Sequence, residues 1–380
     1  MSWPHITMVD ACVRRDGRGG SPTAVTDDDP AATDADRRAV ATAAGTSHAA
    51  FLGPGRTPHG DWPIRFFTAT AELSGCGHGT VAAQAVRLAR TTLDELNDRQ
   101  HTGGRTFHTV AIRRPTGIEV WFDQGLVALR HPAPDERAAI VAALGLTADD
   151  LHPTDAPRIA APGTPRMLVP VHDRSALLRV CPHLGKLTAA CRRYGLLGCF
   201  VYIPPVGDRP GAARMFAPAI GVDEDVANAN STGCLAAHLL DTTGAQTIAI
   251  EVEQGDTLGR PASVLASARR GPAGITTRVG GLAVVRDGQR GGCRARVDGD
   301  PVAETPRQAV ATYTGPFADG AGYLWLAGYR YLIRREYVDA VVTLADNLAG
   351  PARAMLEEGR RHHPHDERLT AVLKNFTSTQ

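Results

Sequence analysis

Two stretches of the chain repeat one pattern of apolar and polar positions. The first is residues 65–90, RFFTATAELSGCGHGTVAAQAVRLAR, and the second is residues 214–240, RMFAPAIGVDEDVANANSTGCLAAHLL. Each begins with an aromatic-rich apolar run, passes through a turn of small residues and enters an Ala-rich segment, which predicts strand, turn and helix in that order. A turn of Gly, Ser and Thr at a helix start leaves backbone N–H groups unpaired and pointing outward. The helix dipole adds partial positive charge there, so such a turn is an anion cradle. Two of them predict a pseudo-symmetric protein that grips a small carboxylate between two helix ends.

The remaining pattern supplies the scaffold. Residues 6–13 (ITMVDACV) predict a buried strand, followed by the Gly-rich turn of residues 18–25 and a second short strand. An acidic loop (27–36) leads to a helix at about 35–44, and GTSHAAFL (45–52) reads as a turn feeding a strand. The charge cluster of that loop reads as a solvated segment with helix-capping Asp. Residues 107–130 are β-rich, 134–144 are helical, and 153–165 form a Pro-rich loop. Strands are predicted at 167–171 and 198–203 on either side of a helical stretch, 175–194. Beyond the second repeat, residues 248–269 read as strand, Gly turn and strand, and 274–287 as paired strands closing the sheet of the first half. From about Glu304 helical periodicity takes over, with Tyr337, Val338, Val341, Val342, Ala345 and Leu348 on one face. Further helices are expected at 351–361 and 366–375, joined to the rest by a linker at 287–306.

Composition narrows the function classes. The 380 residues suffice for two or three domains, and 43% hydrophobic content allows a sizeable core. A net charge of +1 gives no electrostatic case for direct nucleic-acid or membrane binding. No apolar run approaches membrane-spanning length and no signal-peptide pattern opens the chain, so a cytoplasmic location is expected. Seven cysteines without a CxxC pair point to reduced thiols rather than a disulfide frame or a zinc site. His362, His363 and His365 lie in HHPHDERL, where Pro364 breaks a helix and the Asp caps the next, so they read as a turn. No metal or other cofactor is expected.

The turn GCGHGT (75–80) carries a thiol and an imidazole at a helix start, a position that lowers a thiol's pKa and favours anions. The facing turn, DEDVANANSTG, offers Asp225, Asn228, Asn230, Ser231 and Thr232. There Asp223 and Glu224 read simply as acids favouring a helix start.

These blocks carry a resemblance. VDACVRRDGRGGSPTAV, TSHAAFL, RFFTATAELSGCGHGTVAA, RMFAPAIGVDEDVANANSTGCLAAHL and VEQGDTLGRPA come in the order and spacing of the phenazine-biosynthesis (PhzF-like) isomerase family, over about residues 5–287. The resemblance implies an α+β fold shared with diaminopimelate epimerase: two pseudo-symmetric, barrel-like halves, each around a central helix, with the active site between them. It places the halves at 1–118 (with closing strands at about 278–290) and 119–277. A C-terminal all-α module at 304–380 is similar to part of the tetratricopeptide-like bacterial transcriptional activation domain, without the winged helix that normally precedes it. The family moves protons on small amino-acid-like or cyclic acids without cofactor, and often dimerises.

Carried over by position, the family's Glu acid/base is replaced by His48, in Thr46-Ser47-His48-Ala49. Its turn histidine matches His78, the neighbouring thiol Cys76, and its second-turn Asp matches Asp225. Other departures are Ser21 in a Gly-Gly-Asn-Pro-like turn, Val226 for Pro and Asn230 for Ser. An imidazole can accept a proton near neutral pH, so His48 is expected as acid/base. Asp225 and His78 would orient the substrate, and amides around 77–79 and 230–232 would hold its carboxylate. Gly20, Ser21, Cys76, Gly77, Gly79, Asn228, Asn230, Ser231, Thr232, Gly255 and Arg260 are the expected binding residues. A two-thiol racemase is disfavoured, because the facing turn has Asn228 where a second thiol is needed and Cys234 lies well inside the helix. The leading expectation is therefore an isomerase of secondary metabolism acting on a small carboxylate, as a homodimer. The other is a degenerate ligand-binding regulator or scaffold acting through the helical module.

Overall fold

The structure is a computed structural model and describes residues 6–286, together with 356, 357 and 361. The chain divides into two units, 1–291 and 292–380. The expected linker and C-terminal helical module lie outside the described residues, apart from those three positions.

The first half begins with β1 (Thr7–Val13), β2 (Ser21–Asp27), α1 (Asp34–Ala43), β3 (Ala49–Leu52) and β4 (Trp62–Phe67). It continues through β5 (Glu72–Leu73), α2 (Gly77–Ala89), β6 (Glu95–Thr102), β7 (Arg105–Arg114) and β8 (Gly117–Leu126). Then come β9 (Ala128–Arg130), α3 (Pro134–Ala143), β10 (Arg158–Ala161), β11 (Arg166–Pro170), α4 (Arg174–Arg179) and α5 (Leu184–Tyr194). The last elements are β12 (Cys199–Ile203), β13 (Gly211–Ala217), β14 (Val222–Asp225), α6 (Ala229–Thr243), β15 (Thr247–Gln254), β16 (Ala262–Gly271) and β17 (Gly274–Val285).

Hydrogen-bonded neighbours trace two closed rings. One runs β17–β1–β2–β3–β4–β6–β7–β8 and returns to β17. The other runs β17–β16–β15–β13–β12–β11–β10–β9. It closes where β8 passes into β9, with the Val127 N–H donating to the Ile275 carbonyl at 3.0 Å. Strand β17 belongs to both rings. One of its edges pairs with β8, while on the other residues 274–280 pair with β16 and residues 282–285 with β1.

The handover falls at Gly280 and Gly281. A Cβ at Gly280 would stand 2.2 Å from the Val120 carbonyl oxygen, and one at Gly281 would stand 2.9 Å from Cys12 Sγ. Cys12 sits at the bulge of β1 and is the one described non-glycine residue with positive φ, 60°. Both crowded positions therefore need glycine.

Helix α2 threads the first ring and α6 the second. Both are buried almost all round, α2 from Gly79 to Val86 and α6 from Ser231 to His238. Alanine suits that setting, because it has high helix propensity and lets strands approach from every side. The strands supply the bulk. Along β8, Ile118, Val120, Phe122 and Gln124 alternate inward in the two-residue period of a strand. Outside the rings, α1 lays Val40 and Ala41 on Phe51 and Phe67. Ile140, Leu177 and Leu187 cover Met167, Val169 and Val201 of the second ring.

Over the described residues this is the expected α+β architecture. Local expectations differ in places. The supposed Pro-rich loop contains β10, whose Ile159 and Ala160 are buried between β9 and β11. The stretch 175–194 is two helices, because Pro182 lacks an N–H and disfavours helical geometry in the residue before it. Residues 274–285 form one long strand rather than a pair, and β6 carries no strong apolar signal. No described helix is long and apolar enough to cross a membrane.

The two central helices meet at their starts, where a Cβ at Gly77 would lie 2.7 Å from Ala229 Cβ. Gly77→Ala is therefore expected to destabilise the fold by about 1–3 kcal/mol, the usual cost of overpacking. The measurement is urea unfolding, with a lower midpoint at unchanged slope. Gly75→Ala, where an added Cβ meets nothing within 4 Å, should shift stability by less than about 1 kcal/mol.

Candidate active site

Cys76 is the N-cap of α2, with extended backbone (φ −145°, ψ 118°) and no side-chain cap bond. The first-turn N–H groups have no intrahelical partner and receive none from a capping side chain. The start of α6 is built differently. Asn228 Oδ1 accepts from the Ser231 N–H at 2.9 Å, and the Asn228 N–H donates to Gln254 Oε1 at 2.8 Å. Thr232 Oγ1 donates to the Asn228 carbonyl (3.0 Å) and accepts from Gln254 Nε2 (3.0 Å). Ser231 and Thr232 are fully buried, and Asn230 is tied to Gln124, whose Nε2 donates to the Asn230 carbonyl at 2.8 Å. Of the two expected anion cradles, the one at α2 is open and the one at α6 is largely sealed by its own side chains.

At this junction His48, Cys76 and His78 come together, with donor atoms within 4.8 Å of one another. His48 precedes β3 and is 2% exposed, whereas Cys76 and His78 are half-buried. The two rings pack edge to face, centroids 4.1 Å apart, with His78 Nε2 3.1 Å from His48 Nδ1. His78 Nδ1 lies 3.1 Å from the Ala227 carbonyl oxygen. A carbonyl can only accept, so that nitrogen carries a proton and Nε2 faces the cluster. His48 Nε2 is 3.3 Å from Thr23 Oγ1, and its Nδ1 is also 2.9 Å from Ser47 Oγ. Asp225 is held by Asn228 Nδ2 at 2.9 Å and adds negative charge near His78.

Charge is concentrated on one sulfur. Burial alone would raise the Cys76 thiol, but the adjoining His48 and His78 outweigh it and hold it at about 5. Burial would likewise lower His78, yet the Cys76 thiolate, Asp225 and the Ala227 carbonyl lift it to about 9. Near neutral pH this is a thiolate–imidazolium pair. Burial pushes Cys12 up to about 12, with the Cys76 and Asp225 charges adding to the effect, and burial takes Cys234 to about 11. Those two thiols stay protonated.

A cavity of about 50 Å³ opens beside the cluster, lined by Ser74, Cys76, Gly77, Thr80, Arg105, Asp123, Gln124 and Asn230 among others. Cys76 lines it; His48 and His78 do not. A larger hollow of about 280 Å³, between Arg15, Arg114, Glu119 and Glu251, contains none of the expected site residues. Gly20 and Gly255 act in the scaffold. The Gly20 N–H donates to the Pro261 carbonyl at 2.8 Å, and Gly255, at φ 78°, turns under the Arg260 carbonyl. Ser21 is buried at the start of β2, and Arg260 is exposed. Gly79 packs against Phe66, where an added Cβ would meet the ring at 2.8 Å.

Thr23, Gln124 and Gln254 were not among the expected residues. Gln124 and Gln254 are polar side chains on buried positions of alternating strands, and that mismatch is the signal by which they could have been found.

Residues 9–288 match the family described as phenazine biosynthesis-like protein. The chain is 32% identical over 268 residues to the uncharacterized isomerase YddE of Salmonella typhimurium, covering 69% of this chain and 89% of that protein. It is 30% identical over 219 residues to trans-2,3-dihydro-3-hydroxyanthranilate isomerase of Pseudomonas aeruginosa, covering 55% and 71%. The crystal structure of the PhzF-family phenazine biosynthesis protein of Bacillus anthracis superposes with a TM-score of 0.65 at 18% identity, covering 74% of this chain and 96% of that one. At that identity the likeness concerns the fold.

The thiolate is directly testable. After treatment with a chelator, Cys76 is expected to be the first thiol alkylated by iodoacetamide below pH 7, read by peptide mass mapping. Its rate should rise through about pH 5 and level off above, since only the thiolate attacks. His48→Ala or His78→Ala should move the midpoint upward. A wild-type midpoint at the ordinary thiol value of about 8.5 would refute the assignment.

Proposed function

The chain belongs to the phenazine biosynthesis-like protein family, and on that premise we propose that it is an isomerase moving a proton, or a double bond, on a small carboxylated, amino-acid-like substrate without a cofactor. The observation that carries this reading is the meeting of His48, Cys76 and His78 beside an open helix start, at the junction of two barrels. The names of the two curated relatives, both isomerases, agree with it.

The substrate carboxylate sits on the free first-turn amides of α2, where the dipole favours it. Cys76 Sγ, the member of the cluster that lines the cavity, takes a proton from the carbon next to the activating group. The resulting anion is held by the same amides. The proton returns to a second carbon from the Cys76 thiol, which restores the thiolate. His48 keeps His78 oriented and shares its proton, acting through these two groups. Asp225 stabilises the charged form of His78.

The 2% exposure of His48 and the small cavity favour a second reading, in which the site binds a ligand without turning it over. One experiment separates the two. The full chain is incubated with trans-2,3-dihydro-3-hydroxyanthranilate, and with simple α-amino acids, in deuterated water. Solvent deuterium in recovered substrate or product is the expected result. Cys76→Ala and His48→Ala should each lower kcat by about 100-fold or more, the usual range for losing acid–base assistance, with KM little changed. A thermal shift on ligand addition with no exchange in the wild type would replace the isomerase reading with the binding one.

A further inference from the structure

Both histidines of the cluster are oriented from behind. His78 Nδ1 faces the Ala227 carbonyl at 3.1 Å, and His48 Nε2 faces Thr23 Oγ1 at 3.3 Å. With protons on those outer nitrogens, the inner ones, His78 Nε2 and His48 Nδ1, face each other across 3.1 Å, with Ser47 Oγ also 2.9 Å from His48 Nδ1. The Cys76 sulfur joins them within 4.8 Å. Three donor atoms so placed can share a proton or be bridged by a cation. A proton can serve one pair at a time, whereas a metal ion serves all three.

We propose that His48, Cys76 and His78 form a site for a divalent transition metal ion of the Zn²⁺ class, with three protein ligands and a fourth position open to the cavity beside Cys76. Two imidazoles and a thiolate are the donors that borderline and soft ions prefer, whereas Mg²⁺ and Ca²⁺ require oxygen ligands. In a tetrahedral zinc site, metal–nitrogen distances of about 2.1 Å and a metal–sulfur distance of about 2.3 Å put the ligand atoms about 3.5 Å apart. The two nitrogens are already near that spacing, and side-chain rotation of Cys76 on the order of 1 Å closes the rest. Outer hydrogen bonds from the free ring nitrogens are how metal-binding histidines are oriented, and both are in place. A thiolate, two neutral imidazoles and a dication leave net charge +1, which suits water or a carboxylate in the fourth position.

The metal site uses the same three residues as the isomerase reading but does not depend on that reading being right. Metal and mobile proton compete for the same lone pairs, so the bound ion releases protons and silences proton transfer.

The test reads the metal directly. The full chain is stripped with a chelator and titrated with Co²⁺ without oxygen. One equivalent is expected to bind, with a thiolate-to-cobalt band in the near ultraviolet and the strong visible bands of four-coordination, both bleached by Zn²⁺. Zn²⁺ should also protect Cys76 from iodoacetamide. Thr23→Val, which leaves all three ligands intact, should weaken binding about 10–100-fold. Cys76→Ser should abolish the ultraviolet band. Absence of the band in the wild type overturns the proposal. So does its persistence in Cys76→Ser, because the sulfur would then come from another of the seven cysteines. If Cys76→Ser does not fold, Thr23→Val decides, and unchanged affinity there overturns the proposal. A chain that never isomerises anything still passes or fails this test.

Discussion

The start of α2 touches the start of α6 so closely that Gly77 has no room for a methyl group, and the site depends on that contact. Because the two ends meet, an imidazole from one half reaches a main-chain carbonyl of the other, His78 to Ala227. That bond fixes which nitrogen of His78 is protonated and therefore which one faces His48 and Cys76. With the helices moved apart, His78 loses the Ala227 carbonyl that orients it and the nearby Asp225 charge that favours its protonated form. Packing at a glycine thus controls the chemistry of a sulfur one residue away.

The contact is held by the sharing of β17. A strand that serves two barrels must release one neighbour and take another along a single edge, and here it does so at Gly280–Gly281. The side chain nearest that seam is Cys12, in a left-handed backbone conformation that a non-glycine residue adopts at a cost. Its thiol lies close enough to Cys76 for the two charges to interact, and burial keeps it protonated. A second thiolate there would repel the first. The seam that joins the barrels also keeps negative charge away from the reactive sulfur.

The duplicated strand–turn–helix was legible in the sequence because its cause is local: small residues at a turn, then alanine at every face of a buried helix. His48, Cys76, His78 and Asp225 were legible as a set through the family resemblance, and the structure brings them to one junction. The asymmetry of the two helix starts was not. Whether an N-terminus is open depends on side chains distant in sequence, such as Gln254 on Asn228, and no periodicity encodes that pairing. The break at Pro182 was present in the letters but outweighed by helical residues on both sides. Strand β10 was hidden because four residues between two turns carry too little pattern to outweigh the surrounding prolines.

The histidine at position 48 has a consequence that follows from charge alone. The resemblance places a glutamate there, and a carboxylate beside Cys76 would disfavour a thiolate by like-charge repulsion, leaving the carboxylate as the better base. An imidazole reverses the sign. It lowers the thiol instead of raising it, and with His78 it supplies enough positive character to overcome burial. With an imidazole at residue 48 the cluster offers nitrogen and sulfur atoms alone, which sets the class of metal ion it suits. In the proposed mechanism the basic group is therefore residue 76, which lines the cavity, rather than the buried residue 48. With the proposed base at the cavity wall, a buried His48 would act by setting the charge of its neighbours rather than by meeting the substrate.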